Sequence, residues 1–397
     1  MLAALFYTLI IATPLVVFFS GMAMTPVLVL LALLVLLHVR PRKNILAGLR
    51  QSRYFLPLAV LTVMAGWGLL SAAWSITPER SVVTALRIFL MGVIGILACI
   101  HVRQMPPLSL RGLRFAAYGM GLVSLLMLFE LLPSGGLMHR AYSFAGADYE
   151  RFIEKNINRG LCALVVFFWP LALGLTRLGA KRLAVGLLLF LAAALLTSNS
   201  LSAQFGLMAG GVAFFLIRRW PVFSGRALII ALPLFLLSFT TLFAQLEKPF
   251  LGAREVEHIL PQSSQHRIYI WHMTLIAAAE RPLVGWGLDT ARAVPLSQDK
   301  NAPEWKKVSP LHPHSPAVQI QLELGWVGLI IFTGGLFLLL RHWREYERDH
   351  MAWSGAMISS YFVAGLSSFG IWQNWWMATL FIALLLVRYL GGLAKAD

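Results

Sequence analysis

An all-α polytopic membrane protein is the fold class this sequence predicts, and three observations predict it. Of the 397 residues, 58% are hydrophobic and only 13% are charged. The mean hydropathy is +0.74. Apolar runs near the length of a spanning helix, which takes about 20 mostly apolar residues, recur along the whole chain with short polar breaks. Soluble domains carry about a quarter charged residues, so a soluble fold is excluded.

The runs lie near 2–19, 22–38, 55–74, 82–100, 113–132, 160–176, 183–198, 201–217, 227–244, 317–340, 352–371 and 376–391, about twelve transmembrane helices. The first begins at Leu2 with no Lys or Arg ahead of it, so it reads as a retained helix and not as a cleaved signal. The run at 183–198 is short, which predicts a broken or tilted helix there. Cys99 and Cys162 fall in apolar runs without Cys or His at metal spacing; both are expected to be packed helix residues.

Sidedness follows from the short loops. Arg40, Arg42, Lys43, Arg50 and Arg53 fill one; Arg103, Arg111 and Arg114 the next alternate one; then Arg177, Lys181 and Arg182; Arg218, Arg219 and Arg226; Arg341, Arg344 and Arg348. Every second loop is basic, the pattern of cytoplasmic loops, and both termini are expected on that side. The same loops explain the net charge of +16, because anionic lipid headgroups attract Lys and Arg. Nucleic-acid binding is not expected, and membrane lipids are.

Two excursions lie on the opposite, periplasmic side: residues 133–159, and a large loop, 245–316, between helices 9 and 10. The chain is thus read as one membrane domain, 1–397, with 245–316 inserted. Within that loop a helix is predicted at about 264–281, capped by Ser263 or Ser264 and stopped by Pro282. Ile268, Trp271, Leu275 and Ala279 recur at helical spacing as its apolar stripe.

The densest polar constellation runs from Leu311 to Gly328. Pro313 and Pro316 keep His312 and His314 out of a regular helix just before the tenth span. A neutral imidazole there can take the proton of a sugar hydroxyl as it attacks an anomeric carbon, which makes one of these histidines the best general-base candidate. A zinc reading is weaker: His-x-His lacks a third ligand at metal spacing nearby, although His258, His266 and His272 could converge in space. Gln319 and Glu323, four apart, share a helix face. A carboxylate inside a span is costly, so Glu323 is either a structural hydrogen-bonding group or a functional one, and Glu130 has the same two readings.

Ser264-x-x-Arg267-x-x-x-Trp271, then Arg281-Pro282-Leu283-x-Gly285-x-Gly287, then His314-Ser315-x-x-x-Gln319-x-x-x-Glu323-Leu324-Gly325-x-x-Gly328 resembles the signature of the bacterial O-antigen ligase and polymerase superfamily. Arg140-x-x-x-Phe144 with Asn156 or Asn158 is similar to an earlier periplasmic segment of that family. The resemblance implies a GT-C-like glycosyltransferase of the bacterial inner membrane, with an active site facing the periplasm. Its activity would be metal-independent and cofactor-free transfer of a glycan from undecaprenyl diphosphate to a sugar hydroxyl of lipid A-core oligosaccharide, in lipopolysaccharide biosynthesis. No Asp-x-Asp pair of the nucleotide-sugar type occurs, in keeping with a lipid-linked donor. His314 would be catalytic; Arg267, His312, Arg140, Arg159 and Gln319 would bind substrate, with Arg267 on the diphosphate. Two positions depart from the pattern: Ser315-Pro316 replaces a common Asn after the histidine, and Leu196-Thr197-Ser198-Asn199-Ser200 replaces a common Ser-Arg. The second leaves open whether Arg140 or Arg159 supplies the missing charge. An O-antigen polymerase and a protein O-oligosaccharyltransferase are the rival enzymes, and a lipid-linked glycan flippase is the rival transporter.

Overall fold

A computed structural model describes residues 1–39, 52–130, 136–144, 149–252, 262–296, 311–343, 347–366 and 368–393. Within them lie α1 (Leu2–Phe19), α2 (Met24–His38), α3 (Ser52–Leu70), α4 (Pro78–His101), α5 (Leu110–Glu130), α6 (Leu137–Phe144), α7 (Tyr149–Arg177) and α8 (Lys181–Leu196). They continue with α9 (Leu201–Arg219), α10 (Pro221–Gly252), α11 (Gln262–Glu280), α12 (Pro316–Trp343), α13 (Arg348–Gly365) and α14 (Asn374–Leu390). Each of the twelve apolar runs carries a helix. Among the described residues, nine helical segments are long and apolar enough to cross a membrane. The other three runs give α8, which is short, α13, which starts on Arg348, Asp349 and His350, and α14, also short. The protein is an all-α, multi-pass membrane protein.

The apolar run read to 371 stops being helical at Gly365, and residues 368–373 belong to a loop that serves the site described below. Residues 136–144 and the start of α7 make helices inside the first excursion. There Glu130, buried at the end of α5, accepts hydrogen bonds from the backbone N–H groups of Met138 at 2.7 Å and His139 at 3.4 Å. A carboxylate at these orphan donors caps α6 and meets the positive end of its dipole.

α7 runs through the centre of the bundle. It is apolar all round from Leu161 to Leu175, as a helix surrounded by helices must be, and it packs against α1, α5, α8, α9, α13 and α14. Lipid tails are as apolar as leucine, so close packing and internal hydrogen bonds hold such helices together. Gly206 and Gly210, one turn apart on α9, let its backbone approach α13. There Trp169 Nε1 of α7 donates to Ser360 Oγ at 2.7 Å, and Ser360 Oγ donates to Gly206 O at 2.8 Å.

α11 begins at Gln262, so Ser263 and Ser264 sit in its first turn and do not cap it. Its most buried positions are Ile270, Thr274, Ala277 and Ala278, whereas Ala279 is exposed. The buried stripe is rotated from the expected one because small side chains, not the large apolar ones, face α12 and the loop around Ala291 and Val294.

Connections between helices sort into two ends. Gly21 bonds Asn156, Trp74 bonds Val284, Ser200 bonds Asn158, and Ser71 bonds Leu288. At the other end Arg103 bonds Arg388, and Arg177 bonds Leu393 and Glu347. The candidate site residues on α7, α11 and the loops before α12 and α14 belong to the first end.

Candidate active site

The site is built on a break in α12. Gly325 has φ 65° and ψ −167°, which opens two turns of the helix hydrogen-bond ladder. In an unbroken helix Leu322 O and Glu323 O would accept from Trp326 N and Val327 N, four residues on. The segment after α11 inserts into that gap. Trp326 N donates to Pro282 O at 2.9 Å and Val327 N to Leu283 O at 3.1 Å, while Trp286 N donates to Leu322 O at 2.9 Å and Gly287 N to Glu323 O at 2.8 Å. All four freed groups are thereby satisfied, as burial requires. A Cβ on Gly285 would strike the Glu323 backbone, and one on Gly325 the Leu283 carbonyl. The two glycine-containing stretches of sequence are thus one interlocked unit.

From this unit the chain reaches the histidines. Pro316 starts α12, where its missing N–H costs nothing, and Gln319 N donates to Ser315 O at 2.9 Å. His314 holds φ 56°, a conformation non-glycine residues rarely adopt and which surrounding contacts must enforce. Those contacts are Trp271 Nε1 donating to Pro313 O at 2.7 Å and His314 Nδ1 donating to Ser368 O at 2.8 Å. A carbonyl oxygen only accepts, so Nδ1 carries the proton and Nε2 is the basic nitrogen. The His312 and His314 ring centres lie 4.2 Å apart. Trp375 Nε1 donates to Gln373 Oε1 at 3.0 Å, which turns the amide to donate from Nε2 to His312 Nε2 at 2.7 Å. His312 Nδ1 lies 3.3 Å from His314 N, so both His312 nitrogens face protein partners.

Burial, the neighbouring His314, and the cations Arg292 and Arg159 push the His312 pKa down to about 3. His314 is also held below the usual histidine value, by burial first, with Arg267 and His266 adding to it against the opposing Ser368 bond. Both imidazoles are therefore neutral near pH 7. Burial likewise pulls the Arg267 guanidinium down from its usual value, so an anionic partner would relieve a desolvated cation.

The arginines flank the pair. Arg267, on α11, acts on His314; Arg159, on α7, acts on His312 and stands 5.9 Å over the Trp375 ring. Asn158, its neighbour, accepts from Ser200 Oγ at 2.5 Å, so Arg159 adjoins the turn that lacks the expected arginine. Arg140 lies on α6 with an exposed side chain. Gln319 is buried with its amide engaged: Oε1 accepts from Ile371 N at 3.0 Å and Nε2 donates to Glu323 Oε1 at 3.0 Å. Asn156 joins α7 to the α1–α2 turn through Phe18 O at 2.9 Å. No group of three or more metal-ligating side chains occurs among the described residues; His258 lies outside them.

Residues 186–333 match the family model described as O-antigen ligase. This stretch of the chain is thus similar to the O-antigen ligase family. That match takes in Arg267, Arg292, His312, His314, Gln319 and Glu323, while Arg140, Arg159, Ser368 and Gln373 lie outside it. Over 358 residues the chain is 26% identical to a Rickettsia felis protein named "Putative polysaccharide ligase", covering 88% of this chain and 85% of that one. Similar relatives so named come from Rickettsia bellii, 28% identical over 87% of this chain and 84% of that one, and Rickettsia conorii, 27% identical over 83% and 79%.

Sequence reasoning passed over Arg292, Ser368 and Gln373 as site residues. Arg292 follows the Gly285-x-Gly287 turn by five residues, within the large loop. Ser368 and Gln373 stand 54 and 61 residues from the histidines they bond, with no local signal linking them.

Proposed function

We propose that this O-antigen ligase-type protein transfers a glycan from undecaprenyl diphosphate to a sugar hydroxyl of lipid A-core oligosaccharide at the periplasmic face of the bacterial inner membrane. The observation that carries the reading is the neutral His314, with Nδ1–H committed to Ser368 O and Nε2 left basic, standing among Arg267, Arg159 and Arg292. In the reaction the acceptor oxygen forms a bond to the anomeric carbon, its proton passes to His314 Nε2, and the anomeric C–O bond breaks with its electron pair retained by the diphosphate. Charge accumulates on phosphate oxygens, where guanidinium groups offer paired donors. Arg267 and Arg159 are the diphosphate ligands in this scheme, with Arg159 supplying the charge absent from the 196–200 turn. Arg140 on α6 is exposed and the Gln319 amide is engaged by Ile371 N and Glu323, so this scheme assigns neither a ligand's part. Arginines and a base suffice, so transfer proceeds without a metal.

The test is transfer by purified protein in detergent, using a polyprenyl-diphosphate-linked glycan and lipid A-core acceptor with a chelator present. Product formation supports the reading. A glycan extended on the polyprenyl carrier instead identifies a polymerase, and donor binding without any transfer is the outcome expected of a flippase. In cells, deleting the gene should remove all long chains from lipopolysaccharide and let the donor accumulate.

A further inference from the structure

Glu323 is fully buried in α12, and every one of its side-chain partners is a donor. Oε2 accepts from Asp289 N at 2.8 Å and Trp372 Nε1 at 2.7 Å; Oε1 accepts from Gln319 Nε2 at 3.0 Å and Ala291 N at 3.3 Å. Its backbone carbonyl holds Gly287 N besides. One residue thus grips three alternate amides, at 287, 289 and 291, along a loop where Asp289 has φ 58°. Through Trp372 and through Gln319, which holds Ile371 N, it also grips the loop between α13 and α14. The first loop carries Arg292 and the second carries Ser368 and Gln373, the partners of His314 and His312. Without this carboxylate the amides it serves would need another acceptor, because a buried N–H left without one is costly.

We infer that Glu323 is a positioning residue: it fixes the two loops that set the orientation of the His312–His314 pair and the place of Arg292. This rests on the transfer reaction proposed above. Arg267 on α11 and Arg159 on α7 are carried by helices that the Glu323 carboxylate does not grip, since its partners lie at 289, 291, 319 and 372. Donor capture should therefore depend on it less than the chemical step, which needs base and acceptor aligned.

The experiment compares full-length wild type, Glu323→Gln and Trp372→Phe in detergent. The glutamine is isosteric but turns a donor toward a donor, and Trp372→Phe removes one grip while leaving the carboxylate. Single-turnover rate per folded molecule should fall by roughly tenfold or more in Glu323→Gln, since small misalignments cost that much, and by less in Trp372→Phe. Donor affinity should change by less than about threefold, the signature of an interaction felt in the transition state. Hydrogen exchange should speed up in 286–292 and 368–373 and stay unchanged in α7. A rate per folded molecule equal to wild type, or faster exchange spread over the whole chain, overturns the assignment. If wild type itself transfers nothing, the proposed reaction has failed, and the exchange pattern alone then decides for or against Glu323 as the clamp.

Discussion

At the residue scale, burial gives His314 its chemistry. A base must be neutral before it takes a proton, and a pKa held below the usual histidine value of about 6.5 keeps Nε2 unprotonated as the medium acidifies. The acid limb of kcat/KM should therefore lie below that value; a limb at or above it would remove His314 as the base. Stability carries the opposite demand. Below pH about 6.5 the unfolded chain binds protons that the folded histidines resist, so stability falls as pH falls. His314→Ala should lower turnover roughly a hundredfold or more, the usual worth of a general base, with donor binding kept. His312→Ala should cost less, because His312 orients and does not accept the proton. Near-normal turnover in His314→Ala would sink the assignment. Arg267→Lys keeps charge but loses the planar fork, so its single-turnover rate per folded molecule should fall more than its donor affinity; an unchanged rate would place Arg267 outside the site. The histidines and Arg267 could be named as candidates because their sequence signals are local. Ser368, Gln373 and the grip of Glu323 could not, since only the folded chain brings them within bonding distance.

At the scale of elements, the break in α12 turns a spanning helix into a site. Sequence periodicity reads 317–340 as one uninterrupted apolar helix, and nothing in Gly325, between Leu324 and Trp326, tells a tolerated glycine from one at positive φ. The rotated stripe of α11 escaped for a related reason: small side chains pack closest although large ones dominate hydropathy. Gly325→Ala tests the break directly. Its positive φ with extended ψ is an essentially glycine-only conformation that costs an L residue about 1–3 kcal/mol, and the added methyl also meets the Leu283 carbonyl. The segment 282–287 should then undock, lowering thermal stability and abolishing transfer. Gly334, where a Cβ meets nothing within 4 Å, is the control: Gly334→Ala should leave both unchanged. Equal behaviour of the two variants would show that the interlock is not what holds the site.

At the scale of the whole molecule, the chain sorts its chemistry by end. The order of the apolar helices was legible because most of the runs satisfy the same length and polarity demand of a bilayer, whereas the short polar α6 was not. Their arrangement around α7 was not, since packing among uniformly apolar helices leaves little trace in composition. The described basic residues Arg103, Arg177 and Arg388 lie at the end of the bundle opposite the site, and the positive-inside rule would put that end in the cytoplasm. Glu79 and Arg111 flank a single span, α4, and both are exposed. In a background with Cys99→Ala and Cys162→Ala, Glu79→Cys should react with a membrane-impermeant maleimide in cells whose outer membrane has been made permeable. Arg111→Cys should react only after the inner membrane is broken. Because one helix separates the two positions, an error in counting distant spans cannot reverse the result. The reverse pattern would put the histidines and arginines in the cytoplasm, where the periplasmic transfer proposed for them could not take place, and equal labelling would mean that α4 does not cross.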